Sequence, residues 1–115
     1  MIPPPPEGWQ ADAACLNLDP SWFYPDEADD PTADPDRLFY GDLPWKDACY
    51  GCPARADCLA HALLHRENFG VWGGLPPAAR RHVAAFLVDG VVTWELVTAK
   101  WLPAPLSDRR DTLAA

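Results

Sequence analysis

The sequence predicts an all-α fold: a small domain of about four to five short helices built around one four-cysteine site, with irregular proline-rich and acidic loops. The length of 115 residues allows one domain at most, and 14 prolines imply long irregular stretches. Apolar residues recur at helical spacing in the second half of the chain, and no stretch shows convincing strand alternation. Domains this short often need a metal or disulfides to fold, which directs attention to the cysteines.

The N-terminal half contains one expected helix between irregular segments. Residues 1–8 form a flexible proline-rich lead, and residues 9–18 are expected to make a short helix that an Asp-Pro pair ends. An aromatic cluster (Ser-Trp-Phe-Tyr-Pro) follows at residues 21–25. Residues 26–36 are acidic and prolyl, and we interpret them as a solvated loop whose charge favours solubility.

Three helices are predicted in the second half. The first begins just after Cys52, because Pro53 suits a first helical position, and it ends within residues 68–70. Its apolar stripe comprises Ala56, Leu59, Ala60, Leu63 and Leu64. The other two helices begin at Pro76-Pro77 and after the N-cap Thr93. Their apolar residues are Val83, Phe86 and Leu87 in one helix and Trp94, Leu96, Val97 and Trp101 in the other.

These elements divide the chain into a domain at residues 9–82, a helical C-terminal extension at 83–102 and a tail at 103–115. We interpret the extension as a helical hairpin that completes the core, in preference to a helix-turn-helix. Core or lid packing is also the expected role of four tryptophans: Trp22, Trp45, Trp94 and Trp101.

The net charge of −8 is unevenly placed, with eleven acidic residues and two basic residues before Cys49. Such a chain is a poor non-specific DNA binder, because phosphate contacts need clustered Lys and Arg. The N-terminus has no secretory signal, and no apolar run is long enough to span a bilayer, so a cytoplasmic protein is expected. No Ser-His-Asp pattern, carboxylate dyad or phosphate loop is evident, so no enzyme activity and no small-molecule substrate are expected. His61 and His65, four residues apart, are expected on a solvated helix face.

The four cysteines are the candidate ligands of a single site: Cys15, then Cys49, Cys52 and Cys58 as C-x2-C-x5-C. Cytosolic thiols stay reduced, so metal or cluster ligation is favoured over disulfides. Thiolates select zinc, Cu(I) or iron–sulfur clusters. Three close cysteines plus a remote one favour an iron–sulfur cluster, while a zinc-stapled interaction module is an alternative. A thiol–disulfide oxidoreductase acting through Cys49 and Cys52 is a second alternative, without the expected βαβ context.

Four motifs surround these cysteines in a specific order. They are Trp9-x5-Cys15, then Phe23-Tyr24-Pro25, then Cys49-x2-Cys52-Pro53-x4-Cys58-Leu59, then Gly-Val-Trp-Gly-Gly-Leu at residues 70–75. Over about residues 9–82 the chain resembles the WhiB-like (Wbl) family of actinobacterial and actinophage iron–sulfur transcriptional regulators.

The resemblance implies a [4Fe-4S] cluster held by Cys15, Cys49, Cys52 and Cys58. It also implies docking on the C-terminal domain (region 4) of the primary sigma factor within RNA polymerase, with sensitivity to redox state and nitric oxide. The implied partner-binding residues are Trp9, Phe23, Tyr24 and Trp72, with Gly70, Gly73 and Gly74 supporting the turn that carries Trp72.

Two departures from the family pattern are visible. Many relatives end in a strongly basic tail that binds DNA, whereas this tail is nearly neutral, which argues against direct DNA contact. Tyr24 stands where the family often has a second Phe.

Overall fold

The computed structural model describes residues 2–23 and 44–102, and the elements in these ranges are helical. Four α-helices are present there: α1 (Pro44–Tyr50), α2 (Arg55–His65), α3 (Pro77–Val88) and α4 (Trp94–Lys100). Two 3-10 helices precede them, at Trp9–Asp12 and Pro20–Phe23. The described ranges contain no strand, only an isolated antiparallel bridge between Trp72 and Leu75. The all-α prediction is confirmed for this part of the chain.

Helix α2 lies at the centre of the main core. Its residues Ala56, Leu59 and Ala60 are buried in this core. They pack with Trp94 and Val97 of α4 and with Leu102, which follows that helix. A fully buried valine such as Val97 contributes roughly 1.5–3 kcal/mol relative to its exposed state. Residues of the extension are therefore part of this core. Helix α3 runs through residue 83 without a break, so the extension begins inside a helix.

The ends of α3 and α4 follow the predicted chemistry. Pro77 occupies the first turn of α3, and Gly90 follows its C-cap with a φ of 76°. The Thr93 side chain caps α4 by accepting a hydrogen bond from the N–H of Leu96.

Two expectations about helix position need correction. Helix α2 begins at Arg55, because Pro53 and Ala54 form a turn in which the N–H of Arg55 donates to the carbonyl of Cys52. The segment 9–18 contains only a short 3-10 helix, followed by turns.

Helix α1 was not predicted, and Cys49 lies in its last turn. The missed pattern was the spacing of Trp45, Ala48 and Cys49, which places these three residues on one helical face. They pack together with Phe23 and Val71.

Two of the four tryptophans expected in the core are exposed. Trp45 and Trp94 are buried as predicted, but Trp22 is 39% exposed and Trp101 is 53% exposed. Trp101 is the C-cap that follows the last helical residue of α4, and the next residue, Leu102, is buried instead. The predicted apolar stripes are also wider than the buried faces, since Leu64, Phe86 and Leu96 are exposed.

Three predicted features lie outside the described residues: Tyr24, the acidic loop 26–36 and the tail 103–115. Within the described ranges, none of the helices has the length and apolar character needed to cross a membrane.

Candidate functional site

All four cysteines line one cavity of about 350 Å³. It lies between the N-terminal 3-10 segment, α1, the start of α2 and the glycine-rich turn at residues 70–74. Its walls are mostly apolar, and the predicted aromatic residues Trp9, Phe23 and Trp72 share them with the cysteines. The structure therefore brings together every described residue of the predicted metal and partner sites. All four cysteines are free thiols.

Each cysteine reaches the cavity from a different local structure. Cys15 lies in the turn after the first 3-10 helix and is exposed. Cys49 lies in the last turn of α1, and Cys52 lies buried in the short connection to α2. Cys58 follows one turn into α2. The C-x2-C-x5-C spacing thus spans two helices and the turn between them.

Backbone N–H groups point at three of the sulfurs. The N–H of Gly73 donates to Sγ of Cys58 at 3.2 Å, and the N–H of Ala14 donates to Sγ of Cys52 at 3.3 Å. The N–H of Gly74 lies against the sulfur of Cys49. Successive N–H groups in a turn form a concavity that favours anions, and such hydrogen bonds stabilise thiolate ligands.

Burial nevertheless keeps the thiols of Cys49 and Cys58 protonated when no metal is bound. Loss of water around the sulfur raises the pKa of Cys49 to about 12 and that of Cys58 to about 12. The N–H groups of Gly74 and Gly73 oppose this shift in part. The pKa of Cys15 is raised as well, first by burial and then by Cys52. Ligation at this site would therefore release protons.

Four thiols around one cavity are a donor set that suits either an iron–sulfur cluster or a zinc ion. A structural zinc requires its thiolates about 2.3 Å from the metal. In a cluster, each thiolate binds a separate iron.

The glycine-rich turn lies directly against α2. Gly70, Gly73 and Gly74 have φ angles of 77°, 61° and 76°, the left-handed region that favours glycine. A Cβ atom on Gly73 would lie 2.6 Å from Cβ of Leu59, which real structures do not tolerate. One on Gly74 would lie 2.8 Å from the ring of Tyr50. Close approach, as well as the φ angle, therefore requires glycine here.

Trp72 is held in a defined orientation by this turn. Its indole N–H donates to the carbonyl of Phe69 at 3.0 Å, and its ring stacks on His61 with centroids 5.2 Å apart. His61 in turn lies 5.5 Å from the ring of Trp9. The expected solvated face is found at His65, which is exposed, whereas His61 is half-buried between two indoles. Burial, followed by the charge of His65, lowers the pKa of His61.

The predicted partner-binding aromatics differ in accessibility. Trp9 and Phe23 are buried, whereas Trp72 is half-buried at the cavity. Phe69, which no sequence motif indicated, is 66% exposed beside Trp72. Its place next to Gly70 was no indication, because Val71, on the other side of the same glycine, is buried.

Arg80 was also missed. Its side chain is only 3% exposed, and its guanidinium donates to the carbonyls of Gly70 at 2.6 Å, Leu75 at 2.7 Å and Glu67 at 2.8 Å. One side chain of α3 thereby fastens both ends of the glycine-rich turn. Nothing in the sequence distinguishes it from its exposed neighbour Arg81 except helical phase.

Comparison with known proteins agrees with these features. The family described as transcription factor WhiB matches residues 9–83. Transcriptional regulator WhiB2 of Mycobacterium tuberculosis is 37% identical over 84 residues, covering 70% of this chain and 82% of that protein. Transcriptional regulator WhiD of Streptomyces coelicolor is 41% identical over 75 residues, covering 65% of this chain and 63% of that protein.

A third relative, the redox-responsive transcriptional regulator WhiB3 of Mycolicibacterium smegmatis, is 33% identical over 72 residues, covering 63% of this chain and 71% of that protein. No solved structure matches the chain significantly. The family match spans the cavity, its four cysteines and the glycine-rich turn. The chain belongs to the WhiB family of transcription factors.

Proposed function

We propose that this protein is a transcriptional regulator that binds one [4Fe-4S] cluster through Cys15, Cys49, Cys52 and Cys58. With the cluster in place, it docks on region 4 of the primary sigma factor of RNA polymerase. The observation that carries the proposal is the direct hydrogen bonding between the glycine-rich turn and the cysteine sulfurs, with Gly73 on Cys58 and Gly74 on Cys49.

These hydrogen bonds make the position of Trp72 depend on the cysteine site. When bound, a cluster of this kind supplies reactivity towards oxygen and nitric oxide. Ligation fixes the sulfurs, so the N–H groups of Gly73 and Gly74 have acceptors in fixed places. Loss of ligation would free the sulfurs, and the turn that presents Trp72 would lose this support. Redox or nitric oxide sensitivity of partner binding follows from that coupling.

The surface around Trp72 suits a protein partner. Tryptophan is enriched among interface residues whose truncation costs about 2 kcal/mol or more. The hydrogen bond to Phe69 and the stacking on His61 hold the indole before any partner arrives, which reduces the entropy cost of binding. Buried Trp9 supports this arrangement from beneath by contacting His61. The relatives are named transcriptional regulators, which is consistent with a partner in the transcription machinery.

The two alternatives fit the site less well. A structural zinc site with four thiolates commonly uses two C-x2-C pairs, whereas only Cys49 and Cys52 have that spacing here. A thiol–disulfide oxidoreductase needs a nucleophilic cysteine with a lowered pKa, whereas burial raises the pKa of Cys49 to about 12. We therefore propose a non-enzymatic role.

The test is anaerobic co-expression with the region 4 domain of the primary sigma factor, followed by metal analysis of the purified complex. We expect a brown complex with about four irons and four sulfides per chain. Trp72→Ala should abolish co-purification while iron stays bound. Trp101→Ala is the matched control, because Trp101 is exposed and does not line the cavity.

Two results would refute the proposal. One is a colourless protein that holds a single zinc. The other is a Trp72→Ala variant that binds the sigma domain as tightly as the unchanged protein does.

A further inference from the structure

We propose that Arg55 is a positioning residue that ties the C-terminal extension to the cysteine site, so that helix α4 helps to retain the bound group. The inference rests on the proposed function only in taking the cavity as the cluster site. The family match ends at residue 83, so Arg55 lies within the matched region and helix α4 lies beyond it.

Arg55 is the first residue of α2 and lines the cavity with the four cysteines. Its Nε donates to the carbonyl of Gly73 at 3.0 Å, and its Nη1 donates to the carbonyl of Trp101 at 3.0 Å. The guanidinium carbon also lies 4.1 Å from the centre of the Tyr50 ring. A single side chain therefore contacts the end of α1, the glycine-rich turn and the end of α4.

Only arginine can make this set of contacts. Its planar fork presents five N–H donors at fixed angles, and its flat face stacks on an aromatic ring. Lysine would keep the charge but is a point donor without the fork or the stacking face. The carbonyl of Trp101 lies at the C-terminus of α4, where helical carbonyls lack partners within the helix and cations are favourable.

The charge of Arg55 also complements the site. It interacts electrostatically with Cys49 and Cys52, and ligation would make both sulfurs anionic. A cation in the cavity wall stabilises bound thiolates, and the hydrogen bond to Gly73 holds the N–H of the same residue against Cys58.

The extension is firmly attached on its other side. Trp94, Val97 and Leu102 are buried against α2, which places the carbonyl of Trp101 within reach of Arg55. Disturbing the packing of Leu102 should therefore reach the glycine-rich turn through Arg55, although Leu102 itself does not line the cavity.

The test begins with the metal-free protein, so it does not depend on the cluster. Hydrogen exchange is measured over residues 70–74 and 94–102 for Arg55→Lys, Arg55→Gln and the control Arg81→Lys, an exposed arginine of α3. We expect both Arg55 variants to exchange roughly tenfold faster in both segments, the effect of losing a charged hydrogen bond. The control should change neither segment.

The coupling itself is tested by adding Leu102→Ala. This change should speed exchange in residues 70–74 when Arg55 is present and should add nothing to the effect of Arg55→Gln. Equal and additive effects in the two backgrounds would overturn the inference, as would faster exchange confined to one segment. Arg55→Lys is the conservative variant. Its helix content, compared with that of the unchanged protein by circular dichroism, serves as the check that the fold is intact.

A final arm uses anaerobically loaded protein. Iron release to a chelator should be roughly tenfold faster in Arg55→Gln than in Arg81→Lys, because hydrogen bond and charge are both lost. If the unchanged protein binds no iron, the proposed function fails while the exchange measurements still decide the role of Arg55. If iron binds and release is unaffected, the role of Arg55 is wrong and the proposed function stands.

Discussion

Replacing Gly73 by alanine should destabilise the protein far more than the same change at Gly90. Both glycines have positive φ angles, 61° at Gly73 and 76° at Gly90. They differ in surroundings, because a Cβ atom at Gly90 would meet nothing within 4 Å. At Gly73 it would lie 2.6 Å from Cβ of Leu59 and 3.0 Å from the carbonyl oxygen of Arg55.

The expected losses of stability follow from the positive φ angle and from the close contacts of the added Cβ atom. A non-glycine residue in the left-handed region costs roughly 1–2 kcal/mol, which is the whole effect expected for Gly90→Ala. Gly73→Ala adds the cost of overpacking against α2, typically 1–3 kcal/mol, for a total of about 2–5 kcal/mol. Since small domains are stable by only about 5–15 kcal/mol, this is a large part of the total.

The assay is denaturant unfolding of both metal-free variants, followed by iron content after anaerobic loading. Gly73→Ala should also lower iron retention, because the displaced turn withdraws the N–H group that Gly73 donates to Cys58. Gly90→Ala should keep its iron. If the two variants are equally stable and hold equal iron, the glycine-rich turn does not lie against α2 as described.

Four further predictions concern α3, α4 and the thiols. Arg80→Met should cost at least about 3 kcal/mol, because several buried carbonyls lose a charged donor, whereas Arg81→Met should stay within about 0.5 kcal/mol. Thr93→Ala removes the N-cap of α4 and should cost about 1 kcal/mol in denaturant unfolding. In the metal-free protein, iodoacetamide should alkylate exposed Cys15 well before Cys58, whose pKa burial raises from 9.0 to about 12. Because the folded state holds that proton more tightly, the free energy of unfolding should fall as the pH rises from about 9 towards 12.

Each of these predictions has a contrary outcome. Similar losses for the two arginine variants would mean that the guanidinium of Arg80 does not support the turn. An unchanged denaturation midpoint for Thr93→Ala would show that the Thr93 side chain does not stabilise α4 as an N-cap. Equal rates of alkylation of Cys15 and Cys58, measured by mass spectrometry, would show that the Cys58 thiol is exposed to solvent.

Several helix ends could be predicted from the sequence, because local chemistry decides where helices begin and end. Pro77 and Gly90 bound α3, and Thr93 caps α4, as their residue types predict. Helix α1 was not predicted because its apolar stripe is only one turn long. Helix α2 begins at Arg55, later than predicted, because a turn separates it from Cys52. A helix as short as α1 depends on tertiary packing, here of Trp45 against Phe23 and Val71, and a local sequence pattern does not contain that information.

By itself, the sequence determined the helical class, the four candidate ligands and the family, because these depend on residue types and on their spacing. Only the tertiary structure decided that the cysteines share one cavity, that the turn donates N–H groups to their sulfurs and that His61 lies between two indoles. It also decided that Arg80, unlike Arg81, is buried, and that Arg55 reaches the end of α4. These contacts join residues far apart in the chain, and their geometry depends on how the helices pack together.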